Sequence, residues 1–153
     1  RTLMRQNLRI LEAVRHVEMS SPLIAPGSGR DLCWMMERFH LSNAILHAEG
    51  DFDVFREIDQ MLANFGCRLV LLTFADNAIE GRIDEAFRRR GAQWQIYHKR
   101  LEDRVGDVAG HFAEMQKRFV EGASWSTLPS LRVDTTDRDW VRCVNEIMEF
   151  WKI

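Results

Sequence analysis

A carboxylate and a guanidinium stand side by side in the sequence, directly after a short apolar run. The run is LCWMM, residues 32–36, and Glu37 and Arg38 follow it. Arginine binds phosphate through its planar, permanently charged guanidinium, which can donate two hydrogen bonds at once. A neighbouring glutamate can accept a proton from an attacking hydroxyl or hold a magnesium-bound water. The pair therefore suits phosphate chemistry, although a structural ion pair at a strand end would have the same sequence.

Two further groups of polar residues could act at the same kind of site. EGRIDEAFRRRG, residues 80–91, carries a run of arginines, and VDTT, residues 133–136, precedes the last helix. Arginines on a helix can serve phosphate or simply form a solvated face, which is the interpretation we favour for Arg89. The VDTT segment can line a ligand site at the end of a strand or provide a helix N-cap. The five histidines have no metal-ligand spacing.

Hydrophobic periodicity predicts the elements that would position these groups. Helices are predicted over residues 2–19, 41–48, 52–65, 78–90, 105–121 and 138–152, and strands over residues 32–36, 67–74 and 131–134. Residues 94–104 are ambiguous. Gly66 stands where a left-handed C′ residue is favoured. Asp137 is expected to cap the last helix, whose predicted buried residues are Trp140, Val144, Ile147, Met148 and Trp151.

Apolar strands that alternate with amphipathic helices are typical of a parallel α/β sheet covered on both faces. Such sheets bind their ligands at the carboxyl ends of the strands. The residues that follow the three predicted strands, at positions 37–38, 73–76 and 134–136, are therefore the ones expected to meet at a site.

Composition limits the class of protein. The chain has 153 residues, a formal net charge of −2 and 46% hydrophobic residues, which fits a single soluble domain and disfavours a generic nucleic-acid binder. Cys33, Cys67 and Cys143 form no CxxC pair, so reduced cysteines in a cytoplasmic protein are expected. No apolar run reaches the roughly 18 residues of a membrane span. The apolar faces predicted within residues 2–19 and 52–65 could pair in a homodimer.

The sequence resembles the P-loop nucleoside and nucleotide kinases. MMERFHLSNAI is similar to the segment of deoxynucleoside and thymidylate kinases that carries Glu-Arg-Ser or Asp-Arg-Tyr after an apolar strand. CRLVLLTF and EGRIDEAFRRRG resemble the strand and lid helix of that superfamily. LPSLRVDTTDRDWVRCVNEIMEFW resembles its closing strand, adenine loop and C-terminal helix. The resemblance spans about residues 1–151 in order and implies a three-layer α/β/α parallel sheet.

The resemblance also implies roles for individual residues and an activity. The protein would transfer the γ-phosphate of ATP, with Mg²⁺, to a deoxynucleoside or nucleoside monophosphate, with thymidylate preferred. Glu37 would be the general base or hold a magnesium-bound water, and Arg38 would bind phosphate. The remaining roles are phosphate binding from the lid by Arg82, Arg88 and Arg90, and adenine binding by Asp134, Thr135 and Thr136.

Two features depart from the family pattern. The lid arginines are more widely spaced than expected, and the sequence has no GxxxxGK followed by Ser or Thr, the loop that cradles the ATP phosphates. PGSGR, residues 26–30, precedes a predicted strand and is interpreted as a loop. We therefore expect residues 1–153 to be one kinase-like domain that lacks its N-terminal strand and phosphate loop. The alternatives are a non-catalytic nucleotide-binding or regulatory domain of this fold and a different α/β protein.

Overall fold

Helices dominate the structure, a computed structural model that describes residues 2–20, 35–37, 39–47 and 52–151. A short 3-10 turn at Asp76–Ala78 precedes the fourth helix. In chain order the other elements of the described residues are α1 (Thr2–Ser20), α2 (His40–His47), α3 (Phe52–Asn64), β1 (Leu69–Thr73), α4 (Ile79–Arg89), α5 (Ala92–Val105), α6 (Val108–Ala123), β2 (Ser130–Asp134) and α7 (Trp140–Trp151).

The chain divides into two compact units, and neither is a continuous stretch of sequence. The first unit comprises Arg1–Arg68 together with Ser124–Pro129, and the second comprises Leu69–Ala123 together with Ser130–Ile153. A six-residue segment that lies between α6 and β2 in the sequence thus belongs to the first unit.

The first unit is built from α1, α2 and α3, which contact one another. Their apolar stripes form its core, with Leu11, Phe55 and Ile58 almost completely buried. The apolar faces of α1 and α3, which suggested a homodimer, thus contact other helices of the same unit. All three helices confirm the predicted segments, and Gly66 after α3 has a φ of +68°, the left-handed conformation that glycine adopts without steric cost.

The second unit contains a two-stranded parallel sheet. The strands pair from Leu69 opposite Ser130 to Thr73 opposite Asp134, which confirms the strands predicted over residues 67–74 and 131–134. Parallel strands need a long crossover connection, and α4, α5 and α6 lie in the chain between them. α6 contacts β1, and α7 contacts β2. The described residues thus form a mostly helical α/β protein with a small parallel sheet.

The strand predicted over residues 32–36 is wrong where the structure describes it. Residues 32–34 lie outside the described residues. Met35 and Met36 have no regular secondary structure, and Met35 is 83% exposed. A buried strand needs both of its faces covered, and a short apolar run does not by itself show that a partner will cover them.

The last helix also differs from its prediction. Asp139 provides the N-cap rather than Asp137, because its Oδ1 accepts a hydrogen bond of 3.0 Å from the backbone N–H of Arg142. Cys143 is the buried residue of α7, whereas three residues of the predicted buried face are exposed, namely Trp140, Val144 and Met148. Apolar residues cover a wide arc of α7, so the sequence did not show which row of them would pack against the sheet.

The ambiguous segment 94–104 is helical and forms most of α5. Cys67 and Cys143 are free thiols, half-buried and buried respectively, whereas Cys33 lies outside the described residues. Within the described ranges, no helix combines the length and apolar character that crossing a membrane requires.

Burial predicts a clear difference between two aromatic truncations. Phe55→Ala removes a ring that is 1% exposed and should lower the free energy of unfolding by about 3–5 kcal/mol. Trp140→Ala removes a ring that is 55% exposed and should cost about 1 kcal/mol or less. Urea denaturation of both variants measures the difference, and equal losses would contradict the described burial.

Candidate functional site

The carboxyl ends of β1 and β2 meet at one edge of the sheet in the second unit. The backbone N–H of Thr135 donates to the carbonyl of Thr73 at 2.7 Å, and the Thr135 hydroxyl donates to the same oxygen at 3.0 Å. The side chain of Gln116, on α6, continues the pattern by bonding both the N–H and the carbonyl of Phe74 at 3.0 and 2.9 Å. The segments after both strands are therefore fixed to each other.

Asp134 and Thr136 form a tight polar turn at this edge. One Asp134 oxygen accepts hydrogen bonds from the Thr136 N–H at 2.8 Å and hydroxyl at 2.5 Å, and these bonds lower the pKa of the Asp134 carboxyl. The Thr136 hydroxyl oxygen accepts from the backbone N–H of Ala75 at 2.7 Å. Asp134 is exposed and Thr136 half-buried, whereas Thr135 is buried. The exposed carboxylate and the half-buried hydroxyl can face a ligand.

Arg82 reaches this edge from α4 and contacts backbone. Its guanidinium donates to the carbonyl oxygens of Thr135 and Thr136 and lies 5.8 Å from the centre of the Phe74 ring. The structure thus brings Arg82 together with the predicted adenine-binding residues. By donating to these two carbonyls, the Arg82 side chain helps to fix the position of the loop that follows β2.

Three consecutive arginines at the end of α4 and its C-cap have different surroundings. Arg89 pairs with Glu85 at 2.6 Å, as expected for a helix-face ion pair. Arg88 donates to the carbonyl of Asp84 in its own helix at 3.3 Å, and the Arg90 guanidinium lies over the ring of Trp94 at 4.6 Å. All three side chains are exposed.

Glu85 and Arg142 each join neighbouring elements through charge pairs. Arg138 contacts Glu85 with both terminal nitrogens, and these bonds lower the pKa of the Glu85 carboxyl and raise that of the Arg138 guanidinium. Arg142 pairs with Asp137 at 3.0 Å and Glu146 at 2.5 Å. The hydrogen bonds that Arg142 donates to these carboxylates raise the pKa of its guanidinium. An open depression is lined by Asp134, Thr136, Asp137 and Arg142.

Glu37, one of the two residues that first suggested phosphate chemistry, belongs to the first unit. Glu37 is exposed and lies at a bend of the backbone shortly before α2. Arg38 lies outside the described residues. Among the described residues, no group of three or more histidine, cysteine, aspartate or glutamate side chains could hold a metal ion.

A buried cluster around Asp59 in the first unit was not predicted. One Asp59 oxygen accepts from Ser126 at 2.5 Å and contacts His40 Nε2 at 3.0 Å. The other accepts from the N–H and hydroxyl of Thr127 at 2.7 and 2.6 Å. His40 also stacks on Phe55 with ring centres 5.0 Å apart. Ser126 bonds the carboxylate and not the histidine, so the cluster lacks the serine–histidine contact of a nucleophilic triad.

The sequence does contain a signal for this cluster. Asp59 is four residues after Phe55 and three before Leu62, so it lies on the apolar stripe of α3. A carboxylate on a buried helix face needs hydrogen-bond partners. That rule predicts that Asp59 has donors, although it does not identify residues 126 and 127.

Opposing effects set the pKa values of the buried pair. Burial raises the pKa of the Asp59 carboxyl, but hydrogen bonds from Ser126, Thr127 and His40 together bring it below its ordinary value. Burial lowers the pKa of His40, and the hydrogen bond and charge of Asp59 offset only part of that effect. The cluster is therefore most stable as a neutral imidazole beside an ionised carboxylate.

Comparison of the chain with protein-family models, with curated proteins and with solved structures finds no match in any of the three. The geometry and chemistry of the described residues therefore carry the functional argument.

The His40 pKa predicts how stability depends on pH. Because the folded-state pKa is below the ordinary 6.5, the unfolded chain binds the proton first as pH falls. The free energy of unfolding should therefore decrease as the pH is lowered through 6.5 towards the folded-state pKa. Asp59 adds a further loss below its ordinary value of 3.8, as the pH falls towards its own lowered pKa.

Denaturation at a series of pH values tests this dependence. His40→Gln should remove the decrease that begins near pH 6.5 and leave the more acidic loss. His16→Gln, at an exposed position of α1, is the matched control and should behave as the unaltered chain. An unchanged profile for His40→Gln would contradict the assignment.

Proposed function

We propose that the protein is an ATP-dependent phosphotransferase of the P-loop nucleoside and nucleotide kinase type, with the three-layer fold of that superfamily. Its acceptor would be a deoxynucleoside or nucleoside monophosphate, with thymidylate preferred, and the reaction would take place in the cytoplasm. The observation that carries the proposal is the parallel pairing of β1 and β2. It brings the segments after both strands to one carboxyl edge, where ligands of α/β sheets bind.

The arginines of α4 support a phosphate-binding role. Within the described part of the chain, no carboxylate pairs with Arg88 or Arg90, whereas Glu85 engages the intervening Arg89. Guanidinium groups without a carboxylate partner can form charge-assisted hydrogen bonds to phosphate oxygens. In this proposal Arg88 and Arg90 serve the transferred phosphates.

Residues 134–136 would provide the adenine side of the site. The buried Thr135 hydroxyl is already bonded to Thr73, and its carbonyl accepts from Arg82. Thr135 would therefore hold the loop after β2 in place, and the hydrogen bond from Arg82 would stabilise that position. Asp134, which is exposed, and Thr136, which is half-buried, would offer the polar groups that contact the base.

Glu37 and Arg38 would act on the acceptor side. Glu37 would take the proton of the attacking hydroxyl or hold a magnesium-bound water, and Arg38 would neutralise phosphate charge. Mg²⁺ would bind chiefly to the nucleotide phosphates, with one or two carboxylates at most, the usual arrangement at such sites.

The second candidate is a non-catalytic nucleotide-binding or regulatory domain. The observation that favours it is the lack of a GxxxxGK[ST] motif in the 153 residues, because that loop supplies the backbone N–H groups and the lysine that hold the phosphates in the kinases. Both candidates predict nucleotide binding, and only the first predicts phosphate transfer.

Binding of nucleotides tests the proposal and the role of the arginines together. The melting temperature is measured with ATP, ADP, thymidine or thymidylate, each with Mg²⁺. A nucleotide that binds should raise the melting temperature, because a ligand of the native state stabilises that state. The double variant Arg88→Ala/Arg90→Ala should weaken ATP binding about tenfold or more, since hydrogen bonds to charged groups are lost.

Arg89→Ala is the matched control for that double variant. It removes a neighbouring positive charge that is already paired with Glu85, so ATP affinity should stay within about twofold. Titration calorimetry gives the three affinities. Equal losses in the control and the double variant would indicate a general charge effect and would contradict the specific role.

Phosphate transfer separates the two candidates. If the protein is a kinase, Arg38→Ala should lower kcat by about a hundredfold or more, because a phosphate-neutralising contact is lost in the transition state, while the melting temperature changes little. Production of ADP and phosphorylated acceptor measures this effect. Nucleotide binding without transfer by the unaltered chain would favour the regulatory domain instead.

A further inference from the structure

The corner between α4 and α5 has a fixed backbone geometry. Arg90 is the C-cap of α4, Gly91 follows with a φ of +79°, and α5 begins at Ala92. The N–H groups of Trp94 and Gln95 both donate to the carbonyl of Gly91, at 3.1 and 3.3 Å. Only a residue without a Cβ adopts this φ easily, so Gly91 sets the position of Trp94 relative to Arg90.

Aromatic contacts hold the Trp94 ring in place. Phe87 on α4 is buried, and its ring centre lies 6.1 Å from that of Trp94. Tyr97 packs edge-on against Trp94 at 5.6 Å, and His98 contacts Phe87 at 4.4 Å. The cluster therefore joins the end of α4 to the first turns of α5 and supports the indole.

Arg90 lies on the outside of this cluster. Its guanidinium carbon is 4.6 Å from the centre of the Trp94 ring, which is within the range of a cation–π contact. In the described part of the chain, neither an ion pair nor a hydrogen bond engages the Arg90 guanidinium. The guanidinium therefore rests on an aromatic face, while its N–H donors, which lie in its own plane, remain available for an anion.

The sequence on either side of Arg90 is rich in positive charge. Residues 88–101 contain five positively charged residues and no aspartate or glutamate, although the whole chain has a net charge of −2. These residues are Arg88, Arg89, Arg90, Lys99 and Arg100. A phosphate that approaches this corner thus meets no carboxylate from the same stretch of chain.

We propose that Trp94 is a positioning residue that holds the Arg90 guanidinium ready for a nucleotide phosphate. The inference rests on the proposed function, since it assumes that Arg90 binds phosphate. A guanidinium that is free to rotate loses conformational entropy when it binds, whereas one stacked on an indole has already lost part of that freedom. Trp94 thereby raises phosphate affinity without contacting the ligand.

A double-mutant cycle on the full chain tests this coupling. The probes are ATP and inorganic tripolyphosphate, which has no base that could stack on the indole, and calorimetry measures the affinities. Trp94→Ala should lower the affinity for both probes about threefold to fivefold, and Arg90→Ala should lower it about tenfold or more. The combined variant should match Arg90→Ala alone, because Trp94 acts only through Arg90.

Two further variants separate positioning from general support of the cluster. Trp94→Phe keeps an aromatic face and should retain affinity within about twofold. Tyr97→Ala disturbs the same cluster without changing Arg90 or Trp94, and its affinity for both probes should also stay within about twofold of that of the unaltered chain. Circular dichroism confirms that each variant folds, and Trp94→Phe keeps the test decisive if Trp94→Ala does not.

The outcomes distinguish this inference from the proposed function. If the unaltered chain binds neither probe, both are overturned. If it binds, but the losses of Trp94→Ala and Arg90→Ala multiply in the combined variant, only the role of Trp94 is overturned. A loss in Tyr97→Ala as large as that in Trp94→Ala would likewise overturn positioning. If Trp94→Ala weakens the binding of ATP but not of tripolyphosphate, the adenine base stacks on the indole. That result would also overturn the positioning role of Trp94.

Discussion

The parallel pairing of β1 and β2 is the constraint on which the second unit depends. Because the strands run in the same direction, no tight turn can join them, and the chain makes an excursion through α4, α5 and α6 between Thr73 and Ser130. The same direction brings both carboxyl ends to one edge, where Thr135 bonds Thr73 and Thr136 bonds Ala75. The candidate ligand edge and the helices beside it both follow from the direction of pairing.

Side chains complete the backbone hydrogen bonding where the two short strands end. Gln116 bonds both backbone groups of Phe74, and Arg82 caps the carbonyls of Thr135 and Thr136. These contacts hold the Arg82 guanidinium against backbone carbonyls, whereas in the described part of the chain no carboxylate pairs with Arg88 or Arg90. Arginines from one region of the chain can therefore have different kinds of partner.

The sequence predicts local elements well because local patterns determine them. The apolar run of β1 and the stripes of α1 and α3 identify those elements, and Gly66 marks where α3 ends. The same apolar patterns wrongly predict that Met35, and Trp140 and Val144 in α7, are buried. Burial depends on a packing partner that the pattern does not show. For the site, proximity of Asp134, Thr135 and Thr136 follows from their adjacency. The contacts of Arg82, and those of Ser126 and Thr127 with Asp59, join residues more than fifty positions apart, and no single segment specifies them.

The segment Ser124–Pro129 has a consequence for the order in which the chain acquires its structure. The first unit contains Arg1–Arg68 but also needs this segment, which supplies the Ser126 and Thr127 donors of Asp59. During synthesis from the N-terminus, the Asp59 carboxylate remains without these donors until residues 67 and 68 positions further along the chain have been added. Until then Asp59 has only its contact with His40. A buried carboxylate that lacks most of its donors is destabilising, so the three helices cannot reach their final packing early. The packing around Asp59 is therefore completed only after α4, α5 and α6 have been translated.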